Sequence, residues 1–232
     1  MTMYVLVHGA YGGGWIWRGV ASLLRARDQE VFTPTLTGLG ERVHLAHPEI
    51  NLSAHIQDVV NVFEFEDITG AVLVGHSYAG MVITGVADRI PQLVSHIVYL
   101  DAHVPQDGQS HSDLTGIQRI GEEWLVKPPT LPEGSPAPTE VEQWMMSKLV
   151  SQPRRTLEEK LSLSVPTEKQ PFNRTFIKAE RSPRTGGPSM ALWRAADRVR
   201  IEPAWNYLGI DTGHVVQIEK PEQVAAMLLE LH

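Results

Sequence analysis

The sequence predicts an α/β fold, with a mostly parallel central sheet flanked by helices, and three observations support this prediction. Short continuous apolar runs recur along the chain, as expected for strands that are buried on both faces. Helical stretches separate these runs, and parallel strands require such crossover connections. With 232 residues, the chain can bury a substantial core in one domain, so we expect a single domain over residues 1–232.

Six apolar runs are predicted to be the strands of this sheet. They cover residues 4–7, 31–35, 71–74, 96–100, 175–179 and 206–210. Helices are predicted around residues 17–26 and 54–63, directly after Ser77, and over residues 221–231. Pro221 suits the first turn of the last helix, because its fixed φ is helical and its missing N–H would have no partner there.

The alternation of strands and helices stops between residues 103 and 172, where we find no clear strand. This stretch contains a proline-rich segment, residues 128–138, and then a helical run. Insertions at the carboxyl edge of a parallel sheet lie over the place where ligands bind, so we expect a small cap. The candidate pocket residues in it are Trp124, Trp144, Met145 and Met146. Packing of the cap onto the body would explain each of them equally well.

Composition and charge argue against several classes of function. The chain has 20 Lys and Arg against 27 Asp and Glu, a formal net charge of −7, and no clustered basic stripe, which argues against nucleic acid and membrane partners. Cysteine is absent, so disulfides, thiolate metal sites and cysteine nucleophiles are excluded. We expect no metal and a cytoplasmic protein, because no secretory signal or apolar run of membrane-spanning length is found.

The most informative motif is Gly-His-Ser-Tyr-Ala-Gly at residues 75–80, between an apolar run and a helical stretch. A strand, a tight turn and a helix in this order expose the serine oxygen of Ser77 at the end of the sheet. Small residues two positions either side, Gly75 and Ala79, let the backbones pass closely. A serine between small residues also occurs in ordinary turns, so its partners must decide the interpretation.

A nucleophilic serine needs a histidine base, and His214 is the best candidate of ten histidines. It follows the last predicted strand and precedes the final helix, in a loop at the carboxyl edge of the sheet. The chain order, serine first and histidine last, agrees with hydrolases that carry such an elbow. His8 and His76 lie inside turn motifs, and we interpret them as fixing local geometry.

The imidazole in turn needs a carboxylate, and two candidates remain open. Asp101 directly follows the fourth predicted strand, while Glu180 follows the fifth, where the acid is most often found. We favour Asp101, because a carboxylate among apolar neighbours at that edge would be costly to bury without a partner. Asp211, three residues before His214, is interpreted as part of the loop.

A developing oxyanion needs two N–H donors. One would be the backbone amide of Tyr78, immediately after the serine. The other would come from the glycine-rich loop after the first strand, residues 8–14, and Ala10 is our candidate. The glycines of this loop lack the spacing of a dinucleotide-binding fingerprint, so the phosphate interpretation is weak.

Several motifs together resemble a known family. They are His8-Gly9-Ala10, Gly13-Gly14-Trp15, the run at residues 35–42, the Ser77 elbow and Gly213-His214. The combination is similar to the plant methylesterase and hydroxynitrile lyase family of α/β-hydrolases and its bacterial esterase relatives, over nearly the whole chain apart from the cap. The resemblance implies a serine-histidine-acid triad, no cofactor and small ester substrates. It implies that Ser77 is the nucleophile and His214 the base, and that Ala10 and Tyr78 form the oxyanion hole.

Two departures from the family refine the prediction. Lyase members carry a threonine after the first-strand histidine and a lysine after the catalytic histidine, where this chain has Gly9 and Val215. Plant members carry their acid after the penultimate strand, where this chain has Ser182-Pro183, which strengthens the case for Asp101. We therefore predict a serine hydrolase for a small carboxylic ester, with carbamate or amide cleavage open. A lyase and a small-molecule receptor are the alternatives, and a homo-oligomer is possible.

Overall fold

The computed structural model describes residues 1–117, 121–130 and 137–231. Its main sheet has six strands in the order β2-β1-β3-β4-β7-β8, and all of its neighbouring strands are parallel. The strands are β1 (Met3–Val7), β2 (Glu30–Phe32), β3 (Ala71–His76), β4 (Val94–Leu100), β7 (Asn173–Ala179) and β8 (Asn206–Ile210), with a separate short pair β5 (Leu125–Val126) and β6 (Gln152–Pro153). The predicted α/β class with a parallel sheet is confirmed.

Helices connect the strands and cover both faces of the sheet. The α-helices are α1 (Arg18–Arg25), α2 (Leu52–Phe65), α3 (Ala79–Arg89), α4 (His111–Thr115), α5 (Glu140–Met146), α6 (Arg155–Glu158), α7 (Pro188–Arg200), α8 (Val216–Glu219) and α9 (Pro221–Leu229). Short 3-10 turns cover Gly14–Trp17, Gly40–Leu45, Pro91–Leu93 and Thr167–Lys169. Within the described ranges, no helix is long and apolar enough to cross a bilayer.

The strands alternate between two hydrophobic clusters, one on each face of the sheet. On β1, Val5 joins the cluster that contains the apolar faces of α2 and α3, whereas Leu6 joins the cluster formed with α1 and α9. All of these side chains are buried, which explains why the strands read as continuous apolar runs rather than as alternating patterns. The hydroxyl of Tyr4 donates to the carbonyl oxygen of Leu228 at 3.2 Å and ties α9 to β1.

The strand predicted at residues 31–35 is shorter in the structure and ends at Phe32. Pro34 follows, and proline has no N–H for the ladder, so pairing with β1 stops before it. Helix α7 was not predicted, although its residues Leu192, Ala195, Ala196 and Val199 are buried at helical spacing. Arginines between these positions obscured the pattern.

The stretch between residues 103 and 172, which we call the cap segment, holds short elements in the part that the structure describes. It contains α4, α5, α6 and the antiparallel pair of β5 and β6, so the expectation of no strand there is wrong for these two-residue strands. Helix α5 begins with a capping box in which Thr139 and Glu142 bond each other's backbone amides. The predicted proline-rich segment, residues 128–138, falls partly outside the described residues, at 131–136.

Candidate active site

Ser77 lies in the turn between β3 and α3, near the middle of the sheet. Its φ of +56° is in the left-handed region, which is costly for a residue other than glycine and is typical of a functional turn. The turn is held on the next strand, because the amide of His103 donates to the carbonyl oxygen of Ser77 at 3.1 Å. A Cβ on Gly80 would lie 1.8 Å from the carbonyl oxygen of His103, so only glycine permits this close approach.

His214 lies beside Ser77, in the loop between β8 and α8. Its Nε2 is 3.0 Å from Oγ of Ser77, and its Nδ1 is 2.7 Å from Oδ2 of Asp101. A carboxylate only accepts hydrogen bonds, so Nδ1 carries the proton and Nε2 is left to accept from the serine hydroxyl. The imidazole is therefore oriented as a base toward Ser77.

Two further side chains hold the His214 loop. Nε2 of His76 donates to the carbonyl oxygen of His214 at 2.8 Å, and the two rings lie 4.6 Å apart. The carboxylate of Glu219 accepts from the hydroxyl of Thr212 at 2.6 Å and from the amide of Gly213 at 3.1 Å. Both contacts restrain the backbone next to the histidine.

Asp101 follows β4 and is completely buried. Like Ser77 it has a positive φ, +41°, and the pair are two of five such non-glycine residues in the described chain. Burial alone would raise the pKa of its carboxyl group, but the hydrogen bonds and charges of His214 and Lys178 outweigh burial and lower it. Asp101 is thus held as the ionised partner of the histidine.

The alternative acids lie elsewhere. The carboxylate of Glu180 lies against Gly209 of β8, and its side chain is exposed. Asp211 is exposed and pairs with Arg181 at 3.3 Å. The structure brings Ser77, His214 and Asp101 together, and it does not bring Glu180 to the histidine ring.

The two predicted oxyanion donors come from segments that meet at Ser77: Tyr78 follows the serine in the chain, and Ala10 follows Gly9, which packs against it. Among the hydrogen bonds of the described residues, none is donated by the amide of Ala10 or of Tyr78. A Cβ on Gly9 would lie 3.0 Å from Cβ of Ser77 and 2.9 Å from Nδ1 of His76, so the first-strand loop packs directly against the nucleophile. The close packing leaves no room for a larger residue at Gly9.

The other buried histidines near this edge have structural contacts. His8 accepts from the amide of Leu36 at 3.0 Å and bonds the carbonyl oxygen of Gly9 at 2.8 Å, as its place in a turn motif predicted. Burial lowers the pKa of His8 and of His55 to about 4, so both rings are neutral at neutral pH. Within the described residues, no cluster of three or more His, Cys, Asp or Glu is arranged to hold a metal ion.

Sequence reasoning missed Lys178, which lies on β7 next to the acid. Its Nζ is 2.6 Å from Oδ1 of Asp101, and both side chains are completely buried. The only advance signal was a lysine between the apolar residues Ile177 and Ala179. The parallel register pairs Leu100 with Ile177 and so sets Asp101 and Lys178, the residues that follow, side by side. Gln152 of the cap segment was also missed; its Oε1 accepts from the amide of Tyr11, next to Ala10, at 2.9 Å.

The predicted pocket residues of the cap segment are partly exposed. Trp144 packs edge-on against Trp15 of the first-strand loop, with ring centroids 5.3 Å apart, and Lys148 lies over its ring. Trp124 is 38% exposed, and its carbonyl oxygen accepts from the amide of Arg154. Their role in lining a pocket stays a prediction.

Residues 4–227 match the model of the alpha/beta hydrolase family. The chain belongs to this family. The match covers both the sheet and the loops that carry Ser77, Asp101 and His214, and it agrees with the resemblance found in the sequence.

Two curated relatives of this alpha/beta hydrolase are esterases by name. The chain is 52% identical over 110 residues to the carbendazim hydrolyzing esterase of Nocardioides sp. strain SG-4G, covering 47% of this chain and 46% of the relative. It is 31% identical over 103 residues to methylesterase 10 of Arabidopsis thaliana, covering 44% of this chain and 38% of the relative. The matched regions thus span less than half the length of these relatives.

Solved structures share the fold over almost the whole of the alpha/beta hydrolase. An extracellular alpha/beta-hydrolase from a Paenibacillus species superposes with a TM-score of 0.82 at 20% identity, covering 99% of this chain and 98% of the other. The Arabidopsis methylesterase MES16 superposes with a TM-score of 0.75 at 21% identity, covering 99% and 98%. At this level of identity the likeness concerns the fold alone.

Proposed function

We propose that this alpha/beta hydrolase is a serine-dependent hydrolase of small carboxylic esters. The observation that carries the proposal is the unbroken hydrogen-bond chain from Oγ of Ser77 through the ring of His214 to Asp101. Two unpaired amides beside the serine add the donors that acyl transfer needs. The names of the curated relatives, an esterase and a methylesterase, favour the same reaction.

In the proposed mechanism, Oγ of Ser77 attacks the ester carbonyl while Nε2 of His214 takes its proton. The amides of Ala10 and Tyr78 stabilise the oxyanion, and the negative charge of Asp101 stabilises the imidazolium. His214 then gives the proton to the leaving alcohol as the ester C–O bond breaks. Water, activated by the same imidazole, hydrolyses the acyl-enzyme and releases the acid.

We include carbamate esters in the proposed substrate class. The relative with 52% identity is named for carbendazim, which is a methyl carbamate, and its carbonyl undergoes the same addition and elimination at serine. A test set should therefore contain short aryl esters, methyl esters of small acids, and carbendazim itself.

The first test compares the wild type with Ser77→Ala on this set. We expect turnover of at least one ester, reduced about 10⁴-fold in the variant, because the nucleophile is removed while the binding surface stays. Ser95→Ala is the matched control, since Ser95 is exposed and bonds the carbonyl oxygen of Gly70 at the opposite edge of the sheet. Retained turnover in Ser77→Ala would refute the serine mechanism.

The second test separates the two candidate acids. Asp101→Asn should lower kcat by about 10³-fold or more, because the amide can no longer stabilise the imidazolium or fix the required tautomer. Glu180→Gln should stay close to the wild-type rate, because that side chain lies against Gly209 instead. The reverse order of effects would assign the acid to Glu180.

Two alternatives remain testable. A lyase would release cyanide from an aromatic cyanohydrin, but Gly9 and Val215 occupy the positions of the special lyase residues, and a threonine side chain at Gly9 would meet Ser77. A small-molecule receptor would stall after about one turnover per site under substrate excess. A cytoplasmic location and a homo-oligomer also stay predictions, which cell fractionation and light scattering would test.

A further inference from the structure

The triad acid is half of a buried ion pair. One carboxylate oxygen of Asp101, Oδ2, lies 2.7 Å from Nδ1 of His214, and the other, Oδ1, lies 2.6 Å from Nζ of Lys178. The amide of Ala179 and the hydroxyl of Ser182 reach the same carboxylate at the longer distance of 3.4 Å. Lys178 thus contacts the acid as closely as the histidine does.

The ammonium group of Lys178 is fixed on three sides. Besides Asp101, it donates to the carbonyl oxygen of Ala179 at 2.8 Å. It also lies 4.2 Å from the ring centre of Trp193, whose indole N–H is held by the carbonyl oxygen of Ser182 at 2.9 Å. Two acceptors and an aromatic face therefore hold the buried lysine in place.

The charges that lower the pKa of Asp101 are those of His214 and Lys178. His76 and His103 lie nearby, and burial lowers their pKa to about 3 and about 4, so both rings are neutral at neutral pH. Arg184 contacts the ring of Trp193 rather than the carboxylate. Lys178 is therefore the cation that balances Asp101 while His214 is neutral.

We propose that Lys178 is a positioning residue of the triad, which holds Asp101 ionised and oriented and lowers the pH at which His214 becomes available as a base. This inference rests on the proposed function. When His214 takes a proton, Lys178 and the imidazolium share one carboxylate, so the lysine opposes protonation of the ring. An enzyme arranged in this way keeps its base neutral at more acidic pH than a triad without the lysine.

The same cation changes the charge of the reacting site. In the tetrahedral intermediate, the negative oxyanion and Asp101 are balanced by the imidazolium and Lys178, so the buried groups sum to zero. Without the lysine, the buried site would carry one uncompensated negative charge during acyl transfer. Because buried charges are weakly screened, that difference acts on the step in which the oxyanion forms.

The test is the pH dependence of kcat/KM for Lys178→Met, which fills a similar volume without the charge. We expect the acidic limb of the pH profile to move to higher pH by about one unit, because the variant loses the like charge that opposes protonation of the ring. Activity should consequently fall more at pH 5.5 than at pH 8. If the acidic limb of the variant stays at the wild-type pH, Lys178 serves only as the structural ion-pair partner of Asp101, and the proposal is overturned.

Two further variants keep the test decisive. Arg174→Met removes a buried cation from the same strand, where the guanidinium bonds the carbonyl oxygen of Thr167, and it should leave the acidic limb in place. If the unpaired Asp101 prevents Lys178→Met from folding, Lys178→Gln keeps a donor and removes the charge. For Lys178→Gln we expect the same shift of the acidic limb to higher pH. An unshifted limb in this variant would also overturn the proposal.

A readout without turnover separates this proposal from the proposed function. The NMR titration curve of the His214 ring protons should move to higher pH in Lys178→Met, even if no ester in the test set is hydrolysed. An active enzyme with an unmoved curve would refute the role of the lysine alone. An inactive wild type with a moved curve would refute the esterase proposal alone.

Discussion

At the scale of single residues, His76 couples the nucleophile turn to the loop of the base. It precedes Ser77 in the chain, and its Nε2–H donates to the carbonyl oxygen of His214 at 2.8 Å. One side chain therefore helps to fix the separation between Ser77 and His214, which exchange a proton in the proposed mechanism. Small errors in such a separation are expensive, because proton transfer needs hydrogen-bond contact.

Replacing His76 by phenylalanine should keep the ring volume and remove this bond. We expect kcat/KM to fall about tenfold, since the carbonyl oxygen of His214 loses its donor and the loop gains freedom. Ester hydrolysis by purified, folded protein measures the effect. His96→Phe makes the same change on β4, where the ring bonds the hydroxyl of Thr175 away from the site, and an equal loss there would contradict the proposed role.

The residues of the site were predictable to different degrees. Ser77 and His214 could be found from chain order and turn chemistry, because both lie in loops whose sequence is dictated by close backbone contacts. Lys178 could not be found, because a lysine in a strand becomes meaningful only when the strand order sets it beside Asp101. Lys178 and Asp101 are buried because neighbouring strands pack around them, and the sequence of neither segment alone shows this burial.

At the scale of elements, the cap segment is bonded to both segments that carry the proposed oxyanion donors. The amide of Tyr11, next to Ala10, donates to Oε1 of Gln152 at 2.9 Å. On the other side of the serine, the hydroxyl of Tyr78 lies 3.2 Å from the carbonyl oxygen of Thr156. Gln152 and Thr156 are themselves bonded at 2.7 Å and fully buried, so one polar cluster supports both donors.

We therefore predict that Gln152→Met lowers kcat by about 10- to 100-fold. The loop that carries Ala10 loses its hydrogen bond to the cap segment, so the amide of Ala10 is no longer held in position to stabilise the oxyanion. KM should change little, since the side chain does not reach the serine. Steady-state kinetics and the affinity for a boronic acid analogue, which should weaken in parallel, give the measurement.

Gln170→Met provides the matched control, because Gln170 bonds Asp88 at 3.1 Å in the same cap segment but away from the oxyanion loop. Its kcat should equal that of the wild type. A Gln152→Met enzyme with lowered thermal stability and unchanged kcat would show that the glutamine serves folding alone.

The elements themselves were predicted unevenly for clear physical reasons. Strands that are buried on both faces can be recognised in the sequence as apolar runs. Five of the six strands of the main sheet were predicted within about two residues at each end. Helix α7 was missed because half of its six buried residues are alanines and its exposed face carries arginines, so the contrast in hydropathy between its two faces is weak. The cap segment is made of short elements whose stability comes from contacts with the body, which local sequence does not encode.

At the scale of the whole molecule, four of the six buried histidines make the fold sensitive to acid. Burial lowers the pKa of His8, His55 and His103 to about 4 and that of His76 to about 3. An unfolded chain, with histidines near 6.5, binds these protons at higher pH than the native state does. The native state is therefore disfavoured as the pH falls through this window.

The free energy of unfolding should rise with pH between about 4 and 6.5, with up to about 1.4 kcal/mol per pH unit from each histidine. Urea titrations at several pH values across this window would measure the slope. In His55→Gln, whose amide can replace the ring's bond to the carbonyl oxygen of Thr37, the slope should decrease by about one proton. A slope that is flat in the wild type would contradict the assignment of neutral buried rings.

The position of Asp101 has a consequence for the connection between β7 and α7. Because Asp101 follows β4, this connection does not have to supply a carboxylate to His214. Among the described residues of this connection, only Ser182 contacts the proposed triad, through Asp101. The segment beyond it, residues 183–186, is exposed on the surface. A label inserted in that stretch should consequently leave the contacts of Asp101 with His214 and Lys178 in place.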